Sequence, residues 1–260
     1  NVGAAFTHGT TGVSNNVFIG RCVAFNQQSN VSSSIAIGYG AATNGTSNNS
    51  IIMGSSAGVG VLGQTHSQNI FLGTNAGTSI STGDNNIALG NGAGRCLCRG
   101  DNNIFLGSNA AKCEFRGVSN IAIGQGALCG ENAGEMIAGK RDYNIALGNN
   151  VGAAVSSGDY NFLAGRDTGR ILISGSNNVA IGAFTLNCST TSSYSIALGN
   201  YAARCVSTGN HNIALGYQSL YCTTSGGCNF AIGNRALQKM TTGCFNVAMG
   251  TCVGCSMTTG

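Results

Sequence analysis

The sequence predicts an all-β fold, a parallel β-solenoid of about 14–15 rungs with a 17-residue repeat. Three observations support this fold class: a glycine recurs at a nearly constant interval, a short apolar block precedes it, and further glycines stand where turns are needed. The composition agrees, because 42 of the 260 residues are glycine, 42% are hydrophobic and only 8% are charged. The hydrophobic content argues against disorder, and the glycines lack the three-residue period of collagen.

The repeat is anchored by the glycine that closes each block of the type Asn-Ile-Ala-Leu-Gly. These glycines are Gly20, Gly38, Gly54, Gly73, Gly90, Gly107, Gly124, Gly148, Gly165, Gly182, Gly199, Gly216, Gly233 and Gly250. Every interval from Gly148 onward is 17 residues, whereas the interval from Gly124 to Gly148 is 24. The seven additional residues predict an insertion loop at residues 130–142, within a single repeat domain that covers residues 1–260. Because the chain begins without methionine and ends partway through a repeat, we expect it to be a segment of a longer protein.

Seventeen residues are too few for a helical hairpin with its turn, but they suffice for one coil of short strands and tight turns. The block Asn-Ile-Ala-Leu-Gly supplies a strand of period two. The anchoring glycine and a second one ten residues later, as at Gly90 and Gly100, supply turns that need a positive φ. Stacked coils would pair their backbones in parallel at about 4.8 Å per rung.

The asparagine that opens each block predicts a hydrogen-bonded ladder. Identical asparagine side chains one rung apart can bond to one another along the stack, as in cross-β structures. Besides Asn16, the predicted ladder comprises Asn69, Asn86, Asn103, Asn120, Asn144, Asn161, Asn178, Asn212, Asn229 and Asn246. A polar binding array is the alternative interpretation of this column, and a structural ladder is the favoured one.

The middle residue of each strand predicts a contact with another chain. In Ile-Ala-Leu the outer residues share one face, and the middle residue points to the other. We expect the isoleucine and leucine side chains to fill the interior, and the middle residues, which are never polar, to form a subunit-contact stripe. The stripe comprises Phe71, Ala88, Phe105, Ala122, Ala146, Leu163, Ala180, Ala197, Ala214, Ala231 and Ala248. The predicted partner is therefore the chain itself, as a homo-oligomer, with a trimer as the expected state, or as a filament.

Three segments carry a resemblance to known proteins. Ser34–Ala42 (SIAIGYGAA) and Asn86–Gly94 (NIALGNGAG) resemble repeats in the heads of trimeric autotransporter adhesins. Asn212–Gly243 is similar to the 17-residue repeats of phage and viral fibre proteins. The resemblance implies a trimer of parallel β-rolls that forms an appendage of a cell surface or of a virion.

The twelve cysteines are not placed at random. Cys96, Cys113, Cys188, Cys205 and Cys222 all stand six residues after an anchoring glycine. Equivalent residues on neighbouring rungs would lie within the Cα separation of a disulfide, so Cys96–Cys113 and Cys205 with Cys188 or Cys222 are candidate disulfides. Cys228 with Cys244 is a further candidate, in adjacent columns. Buried thiols, or a metal or redox site around Cys252 and Cys255, are the alternatives.

No arrangement of residues in the sequence predicts catalysis, so we expect neither an enzyme nor a cofactor or metal. His8, His66 and His211 lie at unrelated positions of the repeat, and Asp84 and Asp101 fit turn positions. The expected function is a rigid, disulfide-reinforced fibre or filament, possible as an adhesin, located outside the cell, on the cell surface or on a virion. A host-surface receptor or glycan is a further expected partner, whereas nucleic acid and membrane insertion are not expected. The alternative function is a glycan- or ice-binding solenoid.

Overall fold

The structure is a computed structural model that describes residues 15–26, 31–113, 116–130 and 141–259. The regular structure of these residues consists of short parallel strands without helices, and most successive strands are 17 residues apart. The predicted fold class, an all-β parallel β-solenoid, is confirmed. Two compact units divide the chain close to the 24-residue interval, one ending at Cys129 and the other including Gly130 and Lys140–Gly260. Residues 131–140 of the predicted insertion loop lie outside the described residues, and the expectation of one domain over residues 1–260 stays a prediction.

The main sheet of the first unit stacks seven three-residue strands in parallel. Its strands are β1 (Val17–Ile19), β2 (Ile35–Ile37), β4 (Ile51–Met53), β6 (Ile70–Leu72), β7 (Ile87–Leu89), β8 (Ile104–Leu106) and β9 (Ile121–Ile123). Equivalent residues pair across neighbouring strands, as Phe71 does with Ala88 and Ala88 with Phe105. A second sheet of two parallel strands, β3 (Thr46–Asn48) and β5 (Thr65–Ser67), lies where the repeat interval departs from 17 residues.

The second unit repeats the same arrangement with a constant 17-residue offset. Its strands are β10 (Ile145–Leu147), β11 (Phe162–Ala164), β12 (Val179–Ile181), β13 (Ile196–Leu198), β14 (Ile213–Leu215), β15 (Phe230–Ile232) and β16 (Val247–Met249). Each strand pairs in parallel with the next, so that Ala180 lies opposite Ala197 and Ala197 opposite Ala214. Every column of the repeat is therefore a line of neighbours along the stack.

The middle residue of each strand lies inside its own rung, which reverses the predicted orientation of the strands. No residue of the predicted subunit-contact stripe is more than 2% exposed; these residues are Phe71, Ala88, Phe105, Ala122, Ala146, Leu163, Ala180, Ala197, Ala214, Ala231 and Ala248. The prediction that this stripe contacts another subunit is wrong, because its side chains already pack within the chain. The interior is narrow, so a small residue from the strand meets residues of the opposite wall, such as Leu97 and Leu172.

The interior compensates for size between two columns, the middle residue of the strand and the position four after the anchoring glycine. Where the strand carries Phe71, the later position is Gly77, and a methyl group built there would lie 2.6 Å from the phenyl ring. Where the strand carries Ala231, the later position is Leu237, which is 2% exposed. Both later positions have a left-handed backbone, with φ of 60° at Gly77 and 50° at Leu237. Leucine therefore fits this conformation wherever its partner is small.

This compensation predicts the outcome of a size swap. Gly77→Leu alone should destabilise the first unit by about 3 kcal/mol through overpacking, and Phe71→Ala alone by about 3–5 kcal/mol through an unfilled cavity. The double variant reproduces the Ala231 and Leu237 arrangement and should recover to within about 2 kcal/mol of the parent. Denaturant unfolding of the four proteins measures the coupling. Additive losses in the double variant would contradict the packing described above.

Candidate functional site

The first and third residues of the strands form an exposed apolar face on each unit, here named the outer apolar face. In the first unit Val17 and Ile19 are 47% and 46% exposed. In the second unit Ile181 and Ile196 are 43% and 39% exposed, and the other strands contribute half-buried or exposed side chains at the same positions. Seven strands of three residues at about 4.8 Å spacing give each unit a face of about 300 Å². A monomer rarely exposes so continuous an apolar patch without a function for it.

The sequence argument for two apolar faces was sound, but its assignment of the faces was inverted. Period-two alternation shows which residues share a face and does not show which face is inside. The large residues, isoleucine and leucine, point outward, whereas alanine points inward. The candidate assembly surface is therefore the outer apolar face rather than the predicted stripe.

The asparagine column forms the predicted ladder. The Nδ2 of Asn86 donates to the Oδ1 of Asn69 at 3.1 Å and to the carbonyl oxygen of Gly100 at 2.8 Å. Its own Oδ1 accepts from the backbone N–H and from the Nδ2 of Asn103, both at 3.0 Å. The same pattern recurs in the second unit, where Asn161 donates to the Oδ1 of Asn144 at 3.0 Å.

The ladder is buried and structural. Asn69, Asn86, Asn103, Asn120, Asn178 and Asn212 are fully buried, and Asn144, Asn161 and Asn229 are 1% exposed. Asn246, in the last strand, is half-buried and donates to the Oδ1 of Asn229 at 3.0 Å. Each side chain joins one rung to the next and also satisfies a turn carbonyl. A buried ladder of this kind stabilises the stack and leaves no polar array for a ligand.

The predicted cysteine column is present, but its members are thiols. None of the cysteines in the described residues is joined in a disulfide, so the candidate cross-links stay a prediction about the oxidised protein. The Cys96 thiol forms a hydrogen bond with that of Cys113, which with burial raises the pKa of Cys96. The Cys205 thiol lies beside Cys188 and Cys222, and its pKa is raised by burial and by Cys188.

The other candidate pair, Cys228 and Cys244, is exposed. The Sγ of Cys244 accepts a hydrogen bond from the backbone N–H of Gly227 at 3.4 Å. The Cys252 thiol forms a hydrogen bond with Cys255, which raises the pKa of Cys252. Within the described residues, no three or more His, Cys, Asp or Glu side chains are grouped so that they could hold a metal ion.

One buried histidine has partners that resemble a nucleophile–base pair. The Nε2 of His66 lies 3.1 Å from the Oγ of Ser47, and its Nδ1 lies 3.4 Å from the Nδ2 of Asn69. Both His66 and Ser47 are 1% exposed, so a substrate carbonyl cannot reach the hydroxyl. We therefore interpret this pair as a structural hydrogen bond between β3 and β5. The sequence gave no signal for it, because the repeat is out of phase at these strands.

His66 predicts a pH-dependent stability of the first unit. Burial lowers the pKa of His66 from 6.5 to about 4, against the opposing effect of Asp84. Above pH 6.5 both folded and unfolded states hold neutral histidine, and below it only the unfolded state gains the proton. Stability should therefore fall between pH 6.5 and 4, by a total of about 3 kcal/mol.

Denaturant unfolding at pH 7.5 and at pH 4.5 measures this loss, and His66→Asn should reduce it. Carboxylates titrate in the same range, but they contribute equally to both proteins. His211→Gln is the matched control, because His211 is exposed and stacks on Tyr194. An unchanged pH dependence in His66→Asn would contradict the assignment.

An arginine–aromatic cluster lies on the turns of the second unit. The guanidinium carbon of Arg166 is 4.7 Å from the centroid of the Phe184 ring, which stacks on Tyr201 at 5.2 Å. Arg204 donates from Nη1 to the hydroxyl of Tyr221 at 2.6 Å, and its buried Nε has no hydrogen-bond partner. Arginine, tyrosine and phenylalanine are the residues that recognition surfaces favour. Their column was not recognised in the sequence, because the aromatic residues occupy three different positions of the repeat.

Comparison with known protein families, with curated proteins and with solved structures finds no match for this chain. The resemblance to fibre and adhesin repeats therefore rests on the quoted segments alone. Among the described residues there is no helix with the length and apolar character needed to cross a membrane. What is known of the chain's function is thus limited to what its own surfaces support.

Proposed function

We propose that the protein is a rigid structural element that associates with copies of itself through the outer apolar face, and that it has no catalytic role. The observation that carries the proposal is the continuous exposure of isoleucine, valine and leucine on consecutive strands, as at Val179 and Ile196. Burying about 300 Å² of apolar surface per unit would contribute about 7 kcal/mol before the costs of association. That contribution is large enough to support assembly.

A second copy of the chain is the partner that fits this face best. The face is flat and uncharged, and it repeats the same residue types at every rung. A surface of this kind is complementary to itself, which is the usual condition for a homo-oligomer. We propose a trimer as the closed form, in a fibre or filament on a cell surface or a virion or elsewhere outside the cell, where oxidation would add disulfides. Such a fibre could also carry adhesion.

Charge placed on the outer apolar face tests the proposal. The double variant Ile196→Glu and Ile213→Glu should dissociate the assembly, because it places carboxylates in an apolar contact. The matched control is Thr208→Glu with Ser225→Glu, which adds the same charge to exposed positions of the same rungs. Light scattering measures the mass of each protein. Equal masses for the two double variants would contradict the proposed contact.

A second candidate function, glycan binding, is favoured by the arginine–aromatic cluster. Tyr217 is 42% exposed and stands edge-on to Tyr201, with ring centroids 6.1 Å apart. Its ring can pack on a sugar, while Arg166 and Arg204 can pair with carboxylates of an acidic polysaccharide. The cluster therefore favours a polyuronate over a neutral glycan.

Calorimetry with polygalacturonate and with neutral dextran tests this candidate function. We expect binding of polygalacturonate alone, and its loss in Tyr217→Ala. Tyr39→Ala is the matched control, because Tyr39 occupies the same position of the repeat in the first unit and is 58% exposed. Equal binding of both polysaccharides, or of neither, would contradict it.

A further inference from the structure

We propose that Cys188, Cys205 and Cys222 form a thiol–disulfide exchange site. A small disulfide such as oxidised glutathione would oxidise the site, and one cross-link would then alternate between Cys188–Cys205 and Cys205–Cys222. The proposal concerns the chemistry of a single chain and does not depend on self-association or on glycan binding.

Backbone hydrogen bonds hold the three cysteines in register. The N–H groups of Cys188, Cys205 and Cys222 donate to carbonyl oxygens of the following rung, at 2.8, 3.1 and 3.0 Å. Neighbouring cysteines therefore lie one rung apart, at about 4.8 Å, which is within the Cα separation that a disulfide spans. Cys188 and Cys222 lie two rungs apart, at about 9.6 Å, beyond the roughly 7 Å limit. Only Cys205 can pair with either of the others.

The side chains agree with this central role. The Cys205 thiol forms a hydrogen bond with Cys188 and is electrostatically coupled to Cys222. All three cysteines are half-buried, so a small disulfide can reach them. Arg204 lies beside Cys205, where its positive charge favours the thiolate against the effect of burial.

The reaction balances with oxidised glutathione as the oxidant. The Cys205 thiolate attacks one sulfur of the small disulfide, whose S–S bond breaks and releases one glutathione thiolate. The thiolate of Cys188 or Cys222 then attacks the Cys205 sulfur and releases the second glutathione thiolate. Two protein thiols are oxidised, one disulfide is reduced, and the released thiolates take up the two protons. The remaining thiol can attack Cys205 in turn, which moves the cross-link without further oxidation.

Peptide mapping after oxidation tests the site. The protein is equilibrated with oxidised and reduced glutathione, quenched in acid, alkylated and digested. Cleavage after Arg204 separates Cys188 from Cys205, and cleavage after Tyr217 separates Cys205 from Cys222. We expect both linkages in the parent protein, each within one chain, with one alkylated thiol remaining of the three.

Serine variants identify the shared cysteine. Cys188→Ser should retain only Cys205–Cys222, and Cys222→Ser should retain only Cys188–Cys205. Cys205→Ser should contain no cross-link in this column, although Cys96–Cys113 should still form as an internal control. Circular dichroism confirms that each variant is folded. A Cys188–Cys222 linkage in Cys205→Ser, a single linkage in the parent protein, or no linkage at all would overturn the proposal.

Discussion

Asn86→Ala should destabilise the first unit by about 3–5 kcal/mol, one of the two largest losses that we expect from a single substitution. The alanine would leave the carbonyl oxygen of Gly100 and the backbone N–H of Asn103 without the hydrogen bonds that they make to the Asn86 side chain. The site is fully buried, so water cannot replace these bonds. Each buried group left unsatisfied costs about 1–3 kcal/mol.

Asn86→Ser is the matched control, because the chain already contains serine at this position of another rung. The Oγ of Ser195 accepts from the backbone N–H of Asn212 at 3.2 Å, so serine retains one of the two bonds. Its loss should be about half that of alanine. Denaturant unfolding measures both values. Equal stabilities for the alanine and serine variants would show that the ladder does not hold the rungs together.

Gly90→Asn should have a comparable or larger effect, with a loss of about 4 kcal/mol or more. Gly90 has a φ of 135°, a conformation that L residues rarely adopt. A Cβ atom built there would also lie 2.6 Å from the carbonyl oxygen of Gly107, the equivalent glycine of the next rung. The backbone would have to move apart at the point where the rungs are closest.

Gly92→Asn provides the control for this substitution. Gly92 also has a positive φ, of 65°, but asparagine already occupies the equivalent position at Asn75 and Asn109, with φ of 57° and 56°. Its loss should be at most about 1 kcal/mol. The comparison of unfolding midpoints separates the cost of a left-handed backbone from the cost of the rung contact. Similar midpoints for the two variants would contradict the role of the anchoring glycine.

The fold could be predicted from the sequence because stacking brings equivalent residues together. A 17-residue interval and a conserved chemical type in each column suffice to predict parallel rungs and a ladder through Asn86 and Asn103. The inside of the strands could not be predicted from alternation, because both faces are apolar. The size relation between Phe71 and Gly77, and between Ala231 and Leu237, is the sequence signal that would have identified it.

The candidate sites were only partly predictable. The cysteine column follows from the repeat, and so does the central position of Cys205. The contact of His66 with Ser47 does not, because the surrounding intervals are irregular and the two residues belong to the separate sheet of β3 and β5. The arginine–aromatic cluster depends on side chains that reach across columns, such as Arg204 and Tyr221, which periodicity cannot show.

The solution mass of the chain is the most direct test of the central claim, that the outer apolar face is covered by copies of the same protein. Sedimentation equilibrium in reducing buffer excludes disulfides as the cause of association. One chain has a mass of 26.1 kDa. The proposal predicts a species of about 78 kDa, three times that mass. A single species of 26.1 kDa at every concentration would contradict it.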